Sequence, residues 1–307
     1  MKRLLTLSLS VVILTSACNY NHASNFHQTF NASLTNGNIT DADSILNVWS
    51  RKLPADPELF AARFNLFLSK SRNEMLVLSG TSDHEEGEGL AFTDSLGNVA
   101  GYISGKTSWQ DALVDSAFFE IDRGIAVHPD RIDFRLGKAA AGAMTGRWDC
   151  TIDAINGVID RDKVNHSQWI TAENAKVTDT EVFLADAIYD HHAGIQQSGS
   201  SEVMENALPV VAKAAQRFSR DNRIINIAGA INYCARHTDT AISYFEKAME
   251  IAPNDALPLT IIAYIRYEQG DASKALEIYR QIKNGNYDDD SKNIATEMID
   301  IIGSSGK

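Results

Sequence analysis

Two histidines side by side are the densest group of potential metal ligands in the chain. They lie in Asp190-His191-His192. Zinc takes three or four protein ligands in a fixed geometry, and neighbouring side chains on a helix point about 100° apart. These two imidazoles therefore do not readily share one ion. We expect this segment to be the solvated end of a helix, and we predict no metal site there.

Two further segments have residue types that suit ligand binding. Residues 83–89 read Asp-His-Glu-Glu-Gly-Glu-Gly, but they lack the alternating Asp/Asn spacing of a calcium-binding loop. We expect a mobile acidic loop. Gly105-Lys106-Thr107 is similar to the end of a phosphate-binding loop, yet Ala100 stands where such a loop needs a glycine. We therefore predict no enzyme, no cofactor and no catalytic residue. The open alternative is an enzyme or metal site formed by the insert and the His191 region.

The elements that would position such residues follow a 34-residue period near the C-terminus. A period of this size predicts stacked helical hairpins. Small residues recur where helices must approach closely, and bulky residues recur between them. The pattern resembles the tetratricopeptide repeat (TPR), which implies a helical solenoid that binds rather than catalyses. The matching pairs are Ala241 and Ala275, Phe245 and Tyr279, Ala248 and Ile282, and Pro253 and Tyr287.

The spacing of the second helix extends upstream. It begins again at Ala42, Ala117, Thr151 and Ala207, with turn glycines Gly37, Gly146 and Gly270. The step from 42 to 117 is too long for one period, so we expect one degenerate or replaced hairpin there. The step from 151 to 207 is also long, which predicts an insertion or long helices between about 160 and 205.

A different pattern interrupts the long first step. Two apolar runs, Leu90–Thr93 and Val99–Ile103, flank a turn that contains glycine, which predicts a β-hairpin. Met75–Leu78 is either a third strand or the end of a helix. We predict a mainly α fold, a TPR-like helical-hairpin solenoid over residues 27–303, with a small β-hairpin insert at about 75–108. Residues 304–307 are expected to be a disordered tail.

The hairpin and the segment 122–138 together resemble a group of TPR proteins from Bacteroidetes bacteria. The second segment contains Asp-Arg-Gly-Ile-x-x-His-Pro-Asp-Arg-Ile-Asp-Phe-Arg-Leu-Gly-Lys. The resemblance covers roughly residues 27–303. It implies a fold and a lineage, and it implies no particular activity.

The N-terminal residues are typical of an export signal. Lys2 and Arg3 precede a short apolar stretch that ends at Cys18, which predicts a lipoprotein signal peptide over residues 1–17. Acylation of Cys18 would attach the protein to a membrane, with residues 18–26 as a flexible tether. No acidic cluster follows Cys18. We therefore expect a lipid-anchored envelope protein, facing the periplasm from the outer membrane.

Charge and cysteine content limit the classes of partner. Without residues 1–17 the chain has 26 basic and 40 acidic residues, a net charge of −14. This balance argues against nucleic acid as a partner, because its backbone needs a basic surface. We expect no disulfide between Cys150 and Cys234, and we expect both side chains to be mostly buried.

The TPR resemblance also indicates where a partner would bind. In that family the first helix of each hairpin lines a concave groove. The corresponding positions predict Arg223, Asn226, Tyr233, Tyr264 and Tyr267 as binding residues. We predict a scaffold that binds a protein or peptide through this groove or through the hairpin insert. An alternative is an accessory role in outer-membrane protein assembly.

Overall fold

The computed structural model describes residues 23–80 and 90–305. The predicted signal peptide, Cys18 and the acidic segment 83–89 with His84 lie outside these ranges, so the expectations for them remain predictions. The chain divides into two compact units, residues 1–138 with 170–175, and residues 139–169 with 176–307. This differs from the single continuous repeat domain that we predicted for 27–303.

Unit 1 contains two helical hairpins and the β insert. The first hairpin consists of α1 (Ala23–Thr35) and α2 (Ile39–Lys52), and the second consists of α3 (Pro57–Ser71) and α4 (Asp111–Val127). Three strands lie between α3 and α4 in sequence: β1 (Arg72–Ser79), β2 (Leu90–Thr93) and β3 (Val99–Trp109). They form an antiparallel sheet in the order β1-β3-β2. The predicted hairpin is therefore β2–β3, and Met75–Leu78 lies in a third strand.

The position of this sheet corrects one prediction. Ala42 lies in α2 and Ala117 in α4, the second helices of two consecutive hairpins. No hairpin between them is replaced. The step is long because the sheet occupies the turn between α3 and α4. Gly105-Lys106-Thr107 lies within β3, so these residues form no phosphate-binding loop.

A buried arginine joins the helices of unit 1. Arg131 precedes α5 (Ile132–Thr145), and its side chain is only 1% exposed. Its guanidinium donates to both carboxylate oxygens of Asp133, at 2.7 and 2.8 Å, and to Glu58 in α3 at 2.9 Å. It also lies 4.6 Å from the ring centroid of Phe134. The Asp-Arg-Ile-Asp-Phe segment behind the Bacteroidetes resemblance therefore has a structural role in this chain.

Residues 170–175 return to unit 1 through backbone pairing. Ile170 forms a parallel bridge with Arg131. Its N–H donates to Asp130 O at 3.0 Å, and its carbonyl accepts from Ile132 N at 3.0 Å. These bonds satisfy polar groups at the start of α5, where a helix lacks internal partners. The pairing explains why residues 170–175 of the long connection after Asn165 belong to unit 1.

Unit 2 begins within α5, after Lys138, and its regular elements in the described residues are all helices. Its elements are α6 (Trp148–Asn165), α7 (Thr180–Gln197), α8 (Ser201–Arg217), α9 (Asn222–Cys234), α10 (Thr238–Ile251), α11 (Leu257–Glu268), α12 (Ala272–Asn284) and α13 (Asp289–Ser305). Helices α7 to α12 form three successive hairpins. The long step from 151 to 207 arises, as predicted, from two 18-residue helices and the connection between them.

The small residues of the predicted pattern lie where helices pack. All six starting positions, from Ala42 and Ala117 in unit 1 to Thr151, Ala207, Ala241 and Ala275 in unit 2, are fully buried. Gly229 shows why size matters, since a Cβ there would lie 2.7 Å from the Phe245 ring. The structure therefore confirms the predicted mainly α fold of TPR-like hairpins with a small β insert.

The turns between paired helices use the left-handed backbone region. Gly37, Gly146 and Gly270 have φ values of 73°, 75° and 84°. Arg236 occupies the corresponding place between α9 and α10 with a φ of 67°. A side chain makes this conformation costly, so the turn geometry is a property of the repeat rather than of glycine alone.

Two local predictions need correction. Cys150 and Cys234 lie outside any disulfide, but both are half-buried rather than mostly buried. The segment 190–192 is not a solvated helix end, because His192 is fully buried within α7. No helix in the described part of the chain has both the length and the apolar character needed to cross a bilayer.

Candidate functional site

An open groove runs along the first helices of successive hairpins in unit 2. Its volume is about 390 Å³. Residues from α7, α9, α11, α12 and α13 line it: Gln196, Ala230, Tyr233, Cys234, Thr260, Ile261, Tyr264, Tyr279, Ile294 and Met298. Most of this surface is aliphatic or aromatic. The groove can therefore hold an apolar side chain of a partner.

Helix geometry places two of the three tyrosines that line the groove, Tyr233 and Tyr264. Tyr233 lies near the end of α9 and Tyr264 lies in α11. Each of these helices is the first helix of its hairpin. Tyr264 is 42% exposed, whereas Tyr233 is half-buried. The short side chains of Ala230 and Thr260 leave space beside them. An exposed tyrosine offers a large contact area at a low entropic cost.

Glu268 places a negative charge beside the groove, next to Tyr233 and Tyr264. It lies at the last position of α11 and is exposed. The hydroxyl group of Tyr233 donates to its carboxylate, and the hydroxyl group of Tyr264 interacts with the same carboxylate. These bonds lower the pKa of Glu268. Burial and the Glu268 bond raise the pKa of Tyr233, and the bond to Glu268 raises the pKa of Tyr264. The group is thus a carboxylate held between two neutral phenols.

This arrangement suits a cation beside an apolar group. A carboxylate attracts an ammonium or guanidinium, and the face of a tyrosine ring attracts the same cations. The remaining oxygen lone pairs of an exposed carboxylate can accept from such a donor. The groove therefore has the chemistry to bind a segment that combines an apolar side chain with lysine or arginine.

Arg223 lies outside this groove. Its guanidinium donates to Asp186 at 2.7 Å and to Asp221 at 2.8 Å, and these bonds raise its pKa. It also lies 5.7 Å from the Tyr189 ring centroid. Arg223 lines a separate cleft of about 330 Å³ in unit 2. Its two carboxylate partners compensate its charge, so it does not offer a free cation to an anionic ligand.

The structure does not place Asn226 or Tyr267 among the residues that line this groove either. Asn226 is buried, and its amide nitrogen donates to Asp255 at 3.1 Å, as that of Asn222 does at 2.7 Å. Tyr267 is half-buried and packs against the core formed by α10 to α13. Asn226 lies two turns before Tyr233 on nearly the same face of α9, about 10 Å away beside Asp255. Tyr267 lies three residues after Tyr264 and is about 60° further round α11.

Several groove residues were missed by the sequence reading. Ile294 and Met298 come from α13, a helix that follows the last recognised repeat. Gln196 comes from α7 and lies 26 residues before the start of α9, the first of the aligned helices. The four-residue spacing of Ile294 and Met298 was the available signal, because it places both on one helical face. The contribution of Glu268 depends on a long-range contact with Tyr233.

The two adjacent histidines of α7 are largely buried. Burial lowers the pKa of His191 to about 4, and burial together with the charge of His191 lowers that of His192 to about 3. Both ring nitrogens of His192 are buried without a hydrogen-bond partner. Among residues 23–80 and 90–305, no three His, Cys, Asp or Glu side chains converge to hold a metal ion. His84 lies outside those ranges.

Comparison with known proteins gives structural similarity only. No protein-family profile matches the chain, and no curated protein does. A solved structure of MamA protein is 13% identical, with a TM-score of 0.36 over 76% of this chain and 93% of that one. The TPR domain of P58(IPK) is 13% identical, with a TM-score of 0.31 over 92% of this chain and 64% of that one.

A third similar structure is a tetratricopeptide repeat protein from Parabacteroides merdae. It is 10% identical, with a TM-score of 0.28 over 91% of this chain and 98% of that one. Similarity at these sequence identities and TM-scores supports no conclusion about this chain. The assignment to TPR-like helical hairpins rests on the paired helices and on the buried small residues at their crossings.

Proposed function

We propose that this protein is a non-catalytic scaffold that binds a segment of another protein in the groove of unit 2. The preferred segment carries an apolar side chain close to a lysine or arginine. The observation that carries this proposal is the Tyr233–Glu268–Tyr264 group at an open, apolar groove. A net charge of −12 for the whole chain also favours encounter with basic partners.

A selection of displayed random peptides on the purified protein tests this preference. We expect enrichment of peptides that combine Leu, Ile or Phe with Lys or Arg. Tyr264→Ala should weaken binding of a selected peptide about tenfold or more, since a partly exposed aromatic residue is a typical binding hot spot. Glu268→Lys should weaken it by a similar factor, and the effect should shrink as salt is added.

A matched charge reversal provides the control. Glu277→Lys in α12 changes the net charge equally, at an exposed position that pairs only with Lys274 in the described structure. It should leave the affinity within about twofold, in line with the small effect of surface pairs. Enrichment of acidic peptides, or equal losses in Glu268→Lys and Glu277→Lys, would contradict the proposal.

We further propose that Cys18 carries a lipid anchor that places this scaffold at the cell envelope, facing the periplasm from the outer membrane. The support is the short apolar segment that ends in small residues before Cys18. Replacement of Cys18 with alanine should move the full-length protein from the membrane fraction to the soluble fraction. It should also abolish incorporation of labelled fatty acid. A Cys18→Ala variant that stays with the membrane would refute the anchor.

A further inference from the structure

One face of the sheet exposes a continuous apolar surface, which we call the leucine face. It consists of Leu76, Leu78, Leu90, Phe92 and Ile103. Leu78 and Leu90 both lie opposite Ile103 in the strand register, so the three side chains project on the same side. Leu76, Leu78 and Leu90 are 80%, 70% and 77% exposed. Leucines at this level of exposure, clustered on one face, mark an interaction surface.

Two glycines of β3, Gly101 and Gly105, determine where the surface of the leucine face is raised and where it is open. Gly105 lies opposite Leu76, and a Cβ built on Gly105 would meet nothing within 4 Å. Gly101 differs, because the Phe92 ring lies over it at 2.7 Å from where its Cβ would be. The face therefore has an open notch beside Leu76 and a ridge at Phe92. A side chain of a partner can enter the notch without displacing any described atom.

The edge of the sheet beside this face is also open. β1 is one of the two edge strands, and in the described part of the chain it pairs on one side only, with β3. All eight residues pair in regular register, without the irregularity that β2 has at Phe92 and Thr93. Proteins usually protect such edges with proline, lysine or a bulge. The central residues Met75–Leu78 have none of these, so the edge can accept another strand.

The size of the face decides between a second copy of this chain and a segment of another protein. β1 has eight residues and β2 has only four, so the three strands cover at most roughly 27 Å by 14 Å, or roughly 400 Å². A stable interface needs about 800 Å² from each partner. Two copies stacked face to face fall short of that. Two copies paired along most of β1 would place the charged Glu74 of one copy opposite Leu76 or Leu78 of the other. A single added strand uses the main-chain edge and the apolar side chains together.

We propose that β1 and the leucine face accept an extended, apolar segment of another protein as a fourth strand. Main-chain hydrogen bonds to β1 supply affinity, and alternate side chains of the segment pack beside Leu76 and Leu78. Arg72 and Glu74 lie on the same face and pair with each other at 2.6 Å, so they favour no net charge in the segment. This mode goes beyond the groove of unit 2 and does not rest on it.

A labelled eight-residue peptide of alternating threonine and valine, with a lysine at each end, tests the proposal by fluorescence anisotropy. We expect saturable binding to the purified protein. The same peptide N-methylated at every second residue should bind about tenfold more weakly or worse, because it lacks the donors for an edge. The double variant Leu76→Lys with Leu78→Lys should lose binding by a similar factor while it keeps the wild-type circular dichroism.

The other outcomes are equally decisive. Glu268→Lys should retain peptide binding within about twofold, which separates this edge from the groove. No anisotropy change at millimolar peptide, or equal binding of the N-methylated peptide, would overturn the proposal. It would also be overturned if sedimentation showed a dimer that Leu76→Lys dissociates, since the occupant would then be a second copy.

Discussion

Replacement of Arg131 with methionine should lower the free energy of unfolding by about 3–5 kcal/mol. The guanidinium is buried and contacts both Asp133 and Glu58. Burial raises the pKa of Asp133 above its ordinary value, even though the guanidinium lowers it. Without Arg131, the protein must hold or protonate a carboxylate that is out of contact with water. Chemical denaturation of the purified variant measures this loss.

Two controls make the Arg131 result specific. Arg72→Met removes an exposed ion pair with Glu74 and should change stability by at most about 1 kcal/mol. Asp133→Asn added to Arg131→Met removes the stranded charge and should recover part of the loss. If Arg131→Met costs no more than Arg72→Met, the buried network does not hold unit 1 together.

Acidification from pH 6.5 to pH 5 should remove about 2 kcal/mol of stability through His192 alone. The folded state keeps this imidazole neutral, since its pKa is lowered to about 3. The unfolded chain takes up the proton below about pH 6.5. The stability is therefore present above pH 6.5 and falls as the pH approaches 3. His191 is half-buried and adds a smaller share in the same direction. Urea denaturation at several pH values measures the slope.

Two substitutions separate titration of His192 from its packing. His192→Gln keeps a polar side chain that does not titrate, so it should flatten the slope without a gain at pH 7. His192→Leu should flatten the slope and also add about 1–2 kcal/mol at pH 7, because it removes two buried ring nitrogens without partners. An unchanged slope in both variants would show that His192 is not the titrating group.

The repeat could be predicted from the sequence because small side chains recur at every position where two helices pack closely. Ala42, Ala241 and Ala275 recur where helices cross, and no larger side chain fits at full burial. The same pattern could not locate the sheet. In a 34-residue pattern an insertion appears only as a longer step between two repeats. The pattern therefore cannot show whether the insertion replaces a hairpin or, as here, lies in the turn between α3 and α4.

The site was harder to predict, because its members depend on helix rotation and distant contacts. Tyr233 and Tyr264 were identified by their place in the repeat, whereas Asn226 lies two turns earlier than Tyr233 along α9 and is buried beside Asp255. His192 was missed although Ile188 and Ile195 flank it at helical spacing, and all three are buried. Its polar neighbours led instead to the prediction of a solvated helix end.

The most direct test of the groove is site-specific photo-crosslinking in cells. Benzoylphenylalanine replaces Tyr264 in the groove or, as a control, Phe119, which is exposed on α4 of unit 1. We predict a discrete adduct from position 264 only. It should disappear when Glu268→Lys is added, and its captured peptide should contain Lys or Arg near an apolar residue. The same adducts from both positions, or an adduct that survives Glu268→Lys, would contradict binding in this groove.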